Sequence, residues 1–165
     1  MSPLSHFPGR ERVLHAEEKE SWAELLPAGG KVVFTNGCFD MLHPGHIWQL
    51  VEARRSGDYL VVGLNSDSSV RRIKGKGRPL VPEIERGLML AALRPVDLVL
   101  IFEQDTPLEL IEAVRPKVLV KGSDYEEDEI IGAPFVRSLG GEIVRVPLLE
   151  GFSTTGFLQK LRGEM

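Results

Sequence analysis

Short apolar runs alternate along this chain with segments in which apolar residues recur at helical spacing. The apolar runs are rich in valine, leucine and isoleucine and predict buried strands; they cover residues 31–37, 58–65, 97–102, 117–122 and 142–149. The segments between and after them predict helices, with proline or glycine at their ends; they cover residues 43–57, 84–96, 106–116, 133–141 and 153–162.

This alternation predicts the α/β class: a five-stranded parallel sheet with helices on both faces, in a Rossmann-like arrangement. Most of the runs place apolar residues on both faces of the strand, as expected when helices cover both faces of a sheet. In such sheets, ligands bind beyond the carboxyl ends of the strands. The turns that follow the strands are therefore the segments expected to carry function.

The first 30 residues follow a different pattern. Residues 1–12 are polar and interrupted by proline and glycine, which predicts a loose tail, and residues 13–26 carry apolar residues that predict a helix. We therefore divide the chain into an N-terminal tail and helix (1–30) and one folded domain (31–165). The length of the second part suits a single hydrophobic core.

Composition narrows the class of protein. The chain is 42% hydrophobic and 27% charged, as globular proteins are, and its net charge of -4 without a long basic run argues against nucleic acid or an anionic membrane as partner. No apolar run is long enough to span a membrane, and the N-terminus does not resemble a signal peptide. The lone Cys38 permits neither an intrachain disulfide nor a cysteine-based zinc site. These features predict a reduced, cytoplasmic protein.

The turn after the first predicted strand, NGCFDMLHPGH (36–46), carries the strongest functional pattern. Pro44 begins a helix, and His43 and His46 lie three residues apart at its positive end, beside unpaired backbone N–H groups. Gly45 leaves room for a ligand to approach the backbone. Two imidazole donors at a helix N-terminus suit a phosphoryl group that gains charge in a transition state. The alternative is two histidines that only cap the helix.

The turn after the second predicted strand is strongly basic. Residues 64–80 combine Gly75 and Gly77 with five cationic side chains, Arg71, Arg72, Lys74, Lys76 and Arg78. Cations on a glycine-rich backbone predict a mobile flap that covers and neutralises phosphates. The alternative is a solvated basic loop.

Residues 31–162 resemble the cytidylyltransferase-like nucleotidyltransferases, which carry an HxGH motif after the first strand. The resemblance implies a nucleotide whose α-phosphate lies against His43 and His46 and is attacked in line by a substrate phosphate, so that pyrophosphate leaves. It implies that Lys74, within RIKGKGRP, is catalytic. It also implies that Arg86, at the start of a helix, contacts the β- and γ-phosphates.

The same resemblance implies further nucleotide contacts. The loop VKGSDY (120–125) lies beside the base and ribose in the family, which makes Lys121, Gly122 and Asp124 candidates, although Asp124 is equally suited to capping a turn. GFSTT (151–155) matches a nucleotide-binding motif, with simple helix capping as the alternative. The remaining candidates belong to these motifs and are Asn36, Gly37, Cys38, Phe39, Gly45, Ser153, Thr154 and Thr155. Cys38 is interpreted as a small filler, because the reaction needs no covalent step.

The combination of NGCFDMLHPGH, RIKGKGRP, FEQDTP, VLVKGSDY and GFSTT resembles one group in this superfamily, the heptose-phosphate adenylyltransferases. That group transfers AMP from ATP to D-glycero-β-D-manno-heptose 1-phosphate, giving ADP-heptose and pyrophosphate for lipopolysaccharide or other surface glycans. The resemblance implies small-molecule partners, a homodimer, and Mg²⁺ held mainly by phosphates without a dedicated protein site. Because no sugar-kinase half is present, the chain is expected to be the stand-alone form.

Three alternatives stay open. One is transfer from CTP to glycerol phosphate or ethanolamine phosphate. The lack of an arginine between Arg145 and Ser153 argues against the glycerol-phosphate and choline-phosphate branch. Another is transfer from ATP to flavin mononucleotide. The third is an inactive nucleotide-binding module, which the presence of all the motifs disfavours.

Overall fold

The computed structural model describes residues 3–149 and 151–152 of this chain. Within them, six parallel strands form one sheet. The strands are β1 (Val13–His15), β2 (Val32–Gly37), β3 (Tyr59–Asn65), β4 (Leu98–Phe102), β5 (Val118–Gly122) and β6 (Glu142–Val146). The helices are α1 (Lys19–Ala23), α2 (Pro44–Arg55), α3 (Asp67–Lys74), α4 (Glu83–Ala91), α5 (Leu108–Val114) and α6 (Ala133–Ser138). Among the described residues, no helix combines the length and apolar character that crossing a membrane requires.

The strand order is β1-β4-β3-β2-β5-β6, which places β2 near the middle of the sheet. From β2 the chain adds β3 and β4 on one side and then returns to add β5 and β6 on the other. The order therefore reverses between β2 and β5, where Val33 pairs with Val118 and Phe34 with Leu119. A reversal of this kind opens a crevice at the carboxyl ends of the two strands.

Two hydrophobic clusters lie on opposite faces of the sheet, because neighbouring residues of a strand point to opposite faces. On one face, α2 and α4 contribute Leu50 and Leu88 to the first cluster. On the other, α1, α5 and α6 contribute Trp22, Ile111 and Val136 to the second. The predicted α/β class and the helices on both faces are thus confirmed.

The sheet has six strands rather than the predicted five, because residues 13–26 do not form one helix. Val13–His15 is β1 and pairs with β4, Val13 lying opposite Val99. The helix that follows is only five residues long, Lys19–Ala23. A three-residue strand is too short for periodicity to separate it from the start of a helix. The division into 1–30 and 31–165 stays a prediction, although β1 lies in the same sheet as the later strands.

Three helix predictions also need correction. The basic turn after β3 contains α3, which Ser66 caps by accepting a hydrogen bond from the N–H of Ser69 at 3.2 Å. Helix α4 ends at Ala91 instead of continuing to residue 96, and α5 begins at Leu108 instead of residue 106. The helix predicted over 153–162 lies outside the described residues.

Candidate active site

Two adjoining cavities open at the carboxyl edge of the sheet and share a floor. The shared floor is lined by Asn36, Gly37, Cys38, Phe39, His46, Lys74, Lys121 and Tyr125. The β4-side cavity, of about 400 Å³, is also lined by Asp40, Asn65, Ile73, Arg78, Asp105, Pro107, Glu129, Ile130 and Ile131. The α2-side cavity, of about 450 Å³, is also lined by His43, Gly45, Gln49, Gly122, Asp124, Leu148, Leu149 and Phe152. Within the described residues, every predicted site residue except Arg86 lines one of these cavities.

His43 is the N-cap of α2, and Pro44 is its first residue. The Nδ1 atom of His43 accepts a hydrogen bond from the backbone N–H of His46 at 3.3 Å. Burial lowers the pKa of His43, which favours the neutral ring. A neutral ring that accepts at Nδ1 carries its proton on Nε2. His43 is therefore arranged as a hydrogen-bond donor through Nε2.

The rings of His43 and His46 are stacked, with their centroids 3.7 Å apart and their planes 20° from parallel. Burial lowers the pKa of His46 to about 4, the neighbouring His43 adds to this shift, and a backbone contact with Met41 opposes it. Both rings therefore favour the neutral form near pH 7. The Nδ1 atom of His46 is buried without a hydrogen bond of good geometry. The backbone of Met41 is the polar group beside it, so Nε2 is the nitrogen of His46 left to contact a ligand.

Gly45 and Phe39 support the histidine pair. A Cβ atom at residue 45 would lie 3.0 Å from Nδ1 of His43, so a larger residue would crowd the ring as well as any ligand. Phe39 is buried, and its ring lies 5.1 Å from that of His46 at an angle of 60°. Its backbone adopts a positive φ of 44°, which is uncommon for a residue with a side chain. The turn between β2 and α2 is thus shaped around the two imidazoles.

Lys121 lies at the strand-order reversal, near the carboxyl end of β5. Its Nζ atom donates to Oδ1 of Asn36 on β2 and lies 5.6 Å from the centre of the Tyr125 ring. Burial lowers the pKa of Lys121 to about 8, although the carboxylate of Asp124 opposes the shift. This half-buried ammonium group lines the shared floor, where an anionic ligand would stabilise its charge.

Lys74 is the last residue of α3 and lines both cavities with an exposed side chain. Of the other four cations predicted to form a flap, only Arg78 lines a cavity. Arg72 instead donates from Nε to Asp105 at 2.7 Å. Lys76 and Arg71 are exposed and line neither cavity. The predicted flap is therefore a helix followed by a loop, with Lys74 at their junction.

Asp40 anchors that loop. It is only 2% exposed, and its carboxylate accepts from the side chain of Arg78 and from the backbone N–H groups of Leu80 and Val81, the latter two at 2.6 and 3.0 Å. Residues 78–81 are thereby attached to the turn that follows β2. Asp40 belongs to the segment NGCFDMLHPGH. An acidic side chain in the turn after a strand was a usable sequence signal for its contact with the basic loop.

Arg86 lines neither cavity, and its predicted contact with the outer phosphates stays a prediction. The side chain is fully buried, and its guanidinium donates to the backbone oxygens of Val81, Cys38 and Asn65 at 2.8, 2.6 and 2.8 Å. It also pairs with Asp67 at 2.7 Å. Arg86 therefore links Cys38, in the turn after β2, to Asn65, at the end of β3.

The Sγ atom of Cys38 makes a weak contact with Oδ1 of Asn65, at 3.9 Å. Burial raises the pKa of the Cys38 thiol, which favours the unreactive protonated form. This geometry suits the predicted role as a small filler. The motif residues Ser153, Thr154 and Thr155 lie outside the described residues.

Sequence reasoning missed several residues of the β4-side cavity. Asn65 ends β3 and is buried, with its amide donating to Oγ of Ser69 at 3.0 Å. Asp105 follows β4 in the FEQDTP segment, and Glu129 lies in a 3-10 turn between β5 and α6. A polar residue immediately after a parallel strand was a usable signal for Asn65 and Asp105. The position of Glu129 depends on a loop whose path the sequence does not define.

Comparison with known proteins decides the family. The model of the family described as Cytidylyltransferase-like matches residues 34–147. This range contains most of β2, all of β3 to β6, and the turn that holds His43 and His46. The chain belongs to the cytidylyltransferase-like family. Its members are nucleotidyltransferases, as the HxGH motif and the neighbouring turns indicated from the sequence.

The curated relatives of this chain include several proteins named Bifunctional protein HldE. The one from Magnetococcus marinus is 54% identical over 149 residues, which are 90% of this chain and 31% of that protein. The one from Acidiphilium cryptum is 54% identical over 147 residues, 89% of this chain and 30% of that protein. This chain therefore spans about three tenths of the length of the curated relatives that it matches.

Solved structures share the fold of this chain. The crystal structure of a lipopolysaccharide core biosynthesis protein from Thermoplasma volcanium GSS1 has a TM-score of 0.59 and 30% identity, covering 73% of this chain and 98% of that one. A pantoate-beta-alanine ligase from Francisella tularensis has a TM-score of 0.60 with 16% identity, covering 91% of this chain and 77% of that one. The second likeness concerns the fold alone.

Proposed function

We propose that this chain transfers the AMP moiety of ATP to a sugar 1-phosphate and releases pyrophosphate. The preferred acceptor is D-glycero-β-D-manno-heptose 1-phosphate, which would give ADP-heptose for lipopolysaccharide or another surface glycan. The observation that carries the proposal is the stacked pair His43 and His46 at the start of α2, facing a floor that also holds Lys74 and Lys121. The name of one relative, a lipopolysaccharide core biosynthesis protein, supports a product that is used for lipopolysaccharide.

In the proposed reaction, a phosphate oxygen of the acceptor attacks the α-phosphorus of ATP. The bond from that phosphorus to the bridging oxygen of the β-phosphate breaks, and pyrophosphate leaves with the electron pair. The acceptor phosphate is anionic near neutral pH and needs no base. Catalysis of this kind depends on positioning and on stabilising charge.

The site residues have separate roles in this scheme. His43 and His46, both favouring the neutral form, donate hydrogen bonds to the α-phosphate oxygens as these gain charge. The positive end of the α2 dipole adds to that stabilisation. Lys74 and Lys121 place positive charge on the shared floor, between the two substrates. Arg86 is a positioning residue that holds the floor from below.

The nucleotide is assigned to the α2-side cavity, which contains His43, Gly45 and the loop at Gly122 and Asp124. Residues 153–155 directly follow Phe152, which lines the same cavity, so their predicted contact with the nucleotide is compatible with this placement.

A magnesium ion carried by the triphosphate fits the donors of this cavity. Among the described residues, no group of three or more histidine, cysteine or acidic side chains is arranged to hold a metal. Asp124 is the acidic residue that lines the α2-side cavity, and its charge interacts with Lys121. Mg²⁺ keeps most of its waters and takes few protein ligands. When bound, it would offset the charge of the leaving pyrophosphate.

The proposal extends to location and assembly only as predictions. Use of ATP and the lone Cys38 favour a cytoplasmic location. A homodimer and the absence of nucleic-acid partners also stay predictions.

Pyrophosphate release tests the proposed function. The protein is incubated with Mg²⁺ and either ATP or CTP, against a panel of sugar 1-phosphates, glycerol phosphate, ethanolamine phosphate and flavin mononucleotide. We expect release with ATP and heptose 1-phosphate. No release from ATP with any heptose 1-phosphate would refute the leading function, and activity in another arm would identify its replacement.

A histidine variant tests the assignment of the catalytic pair. His46→Ala should lower kcat by at least about 10²-fold, the usual effect of losing one donor to a developing charge. His6→Ala is the control, because His6 is exposed and lines neither cavity. Circular dichroism must show that both variants are folded. Normal turnover by folded His46→Ala would remove His46 from the mechanism.

A further inference from the structure

The β4-side cavity contains polar side chains that the proposed chemistry does not use. Two of them are the carboxylates of Asp105, in the turn after β4, and Glu129, in the turn between β5 and α6. Its volume of about 400 Å³ is typical of cavities that bind small molecules. It shares its floor with the α2-side cavity, so a molecule bound there would meet the nucleotide at His46 and Lys74.

We propose that the β4-side cavity is the acceptor subsite and that Asp105 and Glu129 select a polyhydroxylated sugar by accepting hydrogen bonds from its hydroxyl groups. This inference rests on the proposed function and deepens it. It gives a role to the FEQDTP segment, to which no contact was assigned from the sequence.

The charges of the cavity orient such a substrate. Lys74 and Lys121 lie at the floor, whereas Asp105 and Glu129 line only the β4-side cavity. A sugar 1-phosphate has an anionic end, which the lysines attract, and an uncharged polyhydroxyl end, which suits carboxylate acceptors. The same carboxylates repel the triphosphate of a nucleotide, so the charges also oppose binding of ATP in the wrong cavity.

Asp105 is held in place before any ligand binds. Its carboxylate pairs with Nε of Arg72 at 2.7 Å, and Arg72 also donates to the backbone oxygen of Glu103. The Oδ1 atom of Asp105 is fixed by this pairing, and the Asp105 side chain is 61% exposed. A carboxylate has about four acceptor positions, so capacity remains for sugar hydroxyls.

Apolar and amide groups complete the subsite. Ile73 and Ile131 line the cavity and are 45% and 41% exposed, so they offer apolar surface to the C–H groups of a sugar ring. Asn65 contributes a buried amide at the end of β3. A lining that mixes a few polar groups with apolar surface is typical of specific small-molecule sites.

Two isosteric variants and two matched controls test the subsite. Asp105→Asn and Glu129→Gln remove one charge each and keep the side-chain shape; the Asn still has an oxygen that can accept from Arg72. Glu103→Gln and Asp128→Asn make the same changes at exposed residues that line neither cavity. Pyrophosphate release is measured for each protein, with the KM of the acceptor and the KM of ATP determined separately.

We expect Asp105→Asn and Glu129→Gln each to raise the KM of heptose 1-phosphate about tenfold, as loss of one charged hydrogen bond would. The KM of ATP should stay within about twofold, and both controls should match the unaltered protein. Equal increases in the two KM values, or no increase in either, would overturn the subsite while leaving the proposed function intact.

Deoxy-sugar phosphates separate direct contact from an indirect structural effect. Removing a hydroxyl that contacts Asp105 should raise the KM of the acceptor for the unaltered protein and raise it much less for Asp105→Asn. The same comparison applies to Glu129 and Glu129→Gln. If removing each hydroxyl in turn costs the variants as much as the unaltered protein, the carboxylates do not contact the sugar. Inactivity of the unaltered protein with every sugar 1-phosphate would instead overturn both the proposed function and this inference.

Discussion

Replacing Arg86 with methionine separates two opposed views of this residue. The sequence places Arg86 among the phosphate ligands, whereas the structure buries it completely beneath the shared floor. Arg86→Met keeps most of the aliphatic stem and removes the guanidinium. That change breaks the ion pair with Asp67 and leaves three backbone oxygens, those of Val81, Cys38 and Asn65, without this donor.

The expected loss of stability follows from those contacts. Breaking a buried ion pair by removing one partner costs about 3–5 kcal/mol. Asp67 is 26% exposed and regains some hydration, whereas the oxygens of Cys38 and Asn65 lie beneath the floor. We therefore expect the free energy of unfolding to fall by about 4 kcal/mol, a large part of the 5–15 kcal/mol typical of a domain.

Urea unfolding, followed by circular dichroism, measures this loss. With a urea slope of about 2 kcal/mol per M, the midpoint should fall by about 2 M. Arg71→Met is the control, because Arg71 is exposed and lines neither cavity, and it should change the free energy by no more than about 0.5 kcal/mol. If the free energy of unfolding of Arg86→Met stays within about 1 kcal/mol of that of the unaltered protein while its KM for ATP rises, Arg86 is a phosphate ligand.

Two further predictions concern packing and charge. Gly57→Ala should lower the free energy of unfolding by about 1–3 kcal/mol, because the added Cβ would lie 2.4 Å from the backbone oxygen of Lys31. Gly29→Ala is the control and should leave the stability unchanged, because no atom lies within 4 Å of its added Cβ. Thermal unfolding measures both variants. The kcat/KM for ATP should decline as pH rises through about 8, because the half-buried Lys121 loses its proton there. Lys121→Gln should lower kcat/KM about tenfold at pH 7 and lack that decline; an unchanged alkaline decline in the variant would assign it to another group.

Local sequence patterns predicted those parts of the fold that depend on local chemistry. Five predicted strands correspond to β2 through β6. The central strands are mostly apolar because helices cover both of their faces, whereas the edge strand β6 keeps exposed Glu142 and Arg145. The start of α2 was also predictable, since Pro44 suits the first helical position and His43 caps it. Membership of the cytidylyltransferase-like family followed from the same turn.

Other features depended on partners far along the chain. Val13 lies in β1 because it pairs with the edge of β4, opposite Val99, and three residues show no periodicity of their own. Helix α3 is a different case, because its cap is local: Ser66 accepts from the N–H of Ser69 within the segment predicted as a basic loop. There the glycines and cations that follow masked a signal that the sequence contains.

What the sequence by itself determined is the set of chemical groups and the order of the elements that bear them: an imidazole pair at a helix start, cations after the second predicted strand, and polar residues after parallel strands. What only the tertiary structure decided is which groups meet. It brings Asp105 and Glu129 to one cavity, and it turns Arg86 inward to buried carbonyl oxygens. The physical reason is that an ionic side chain takes its role from the partners and the solvent around it, and both are set by packing between segments distant in sequence.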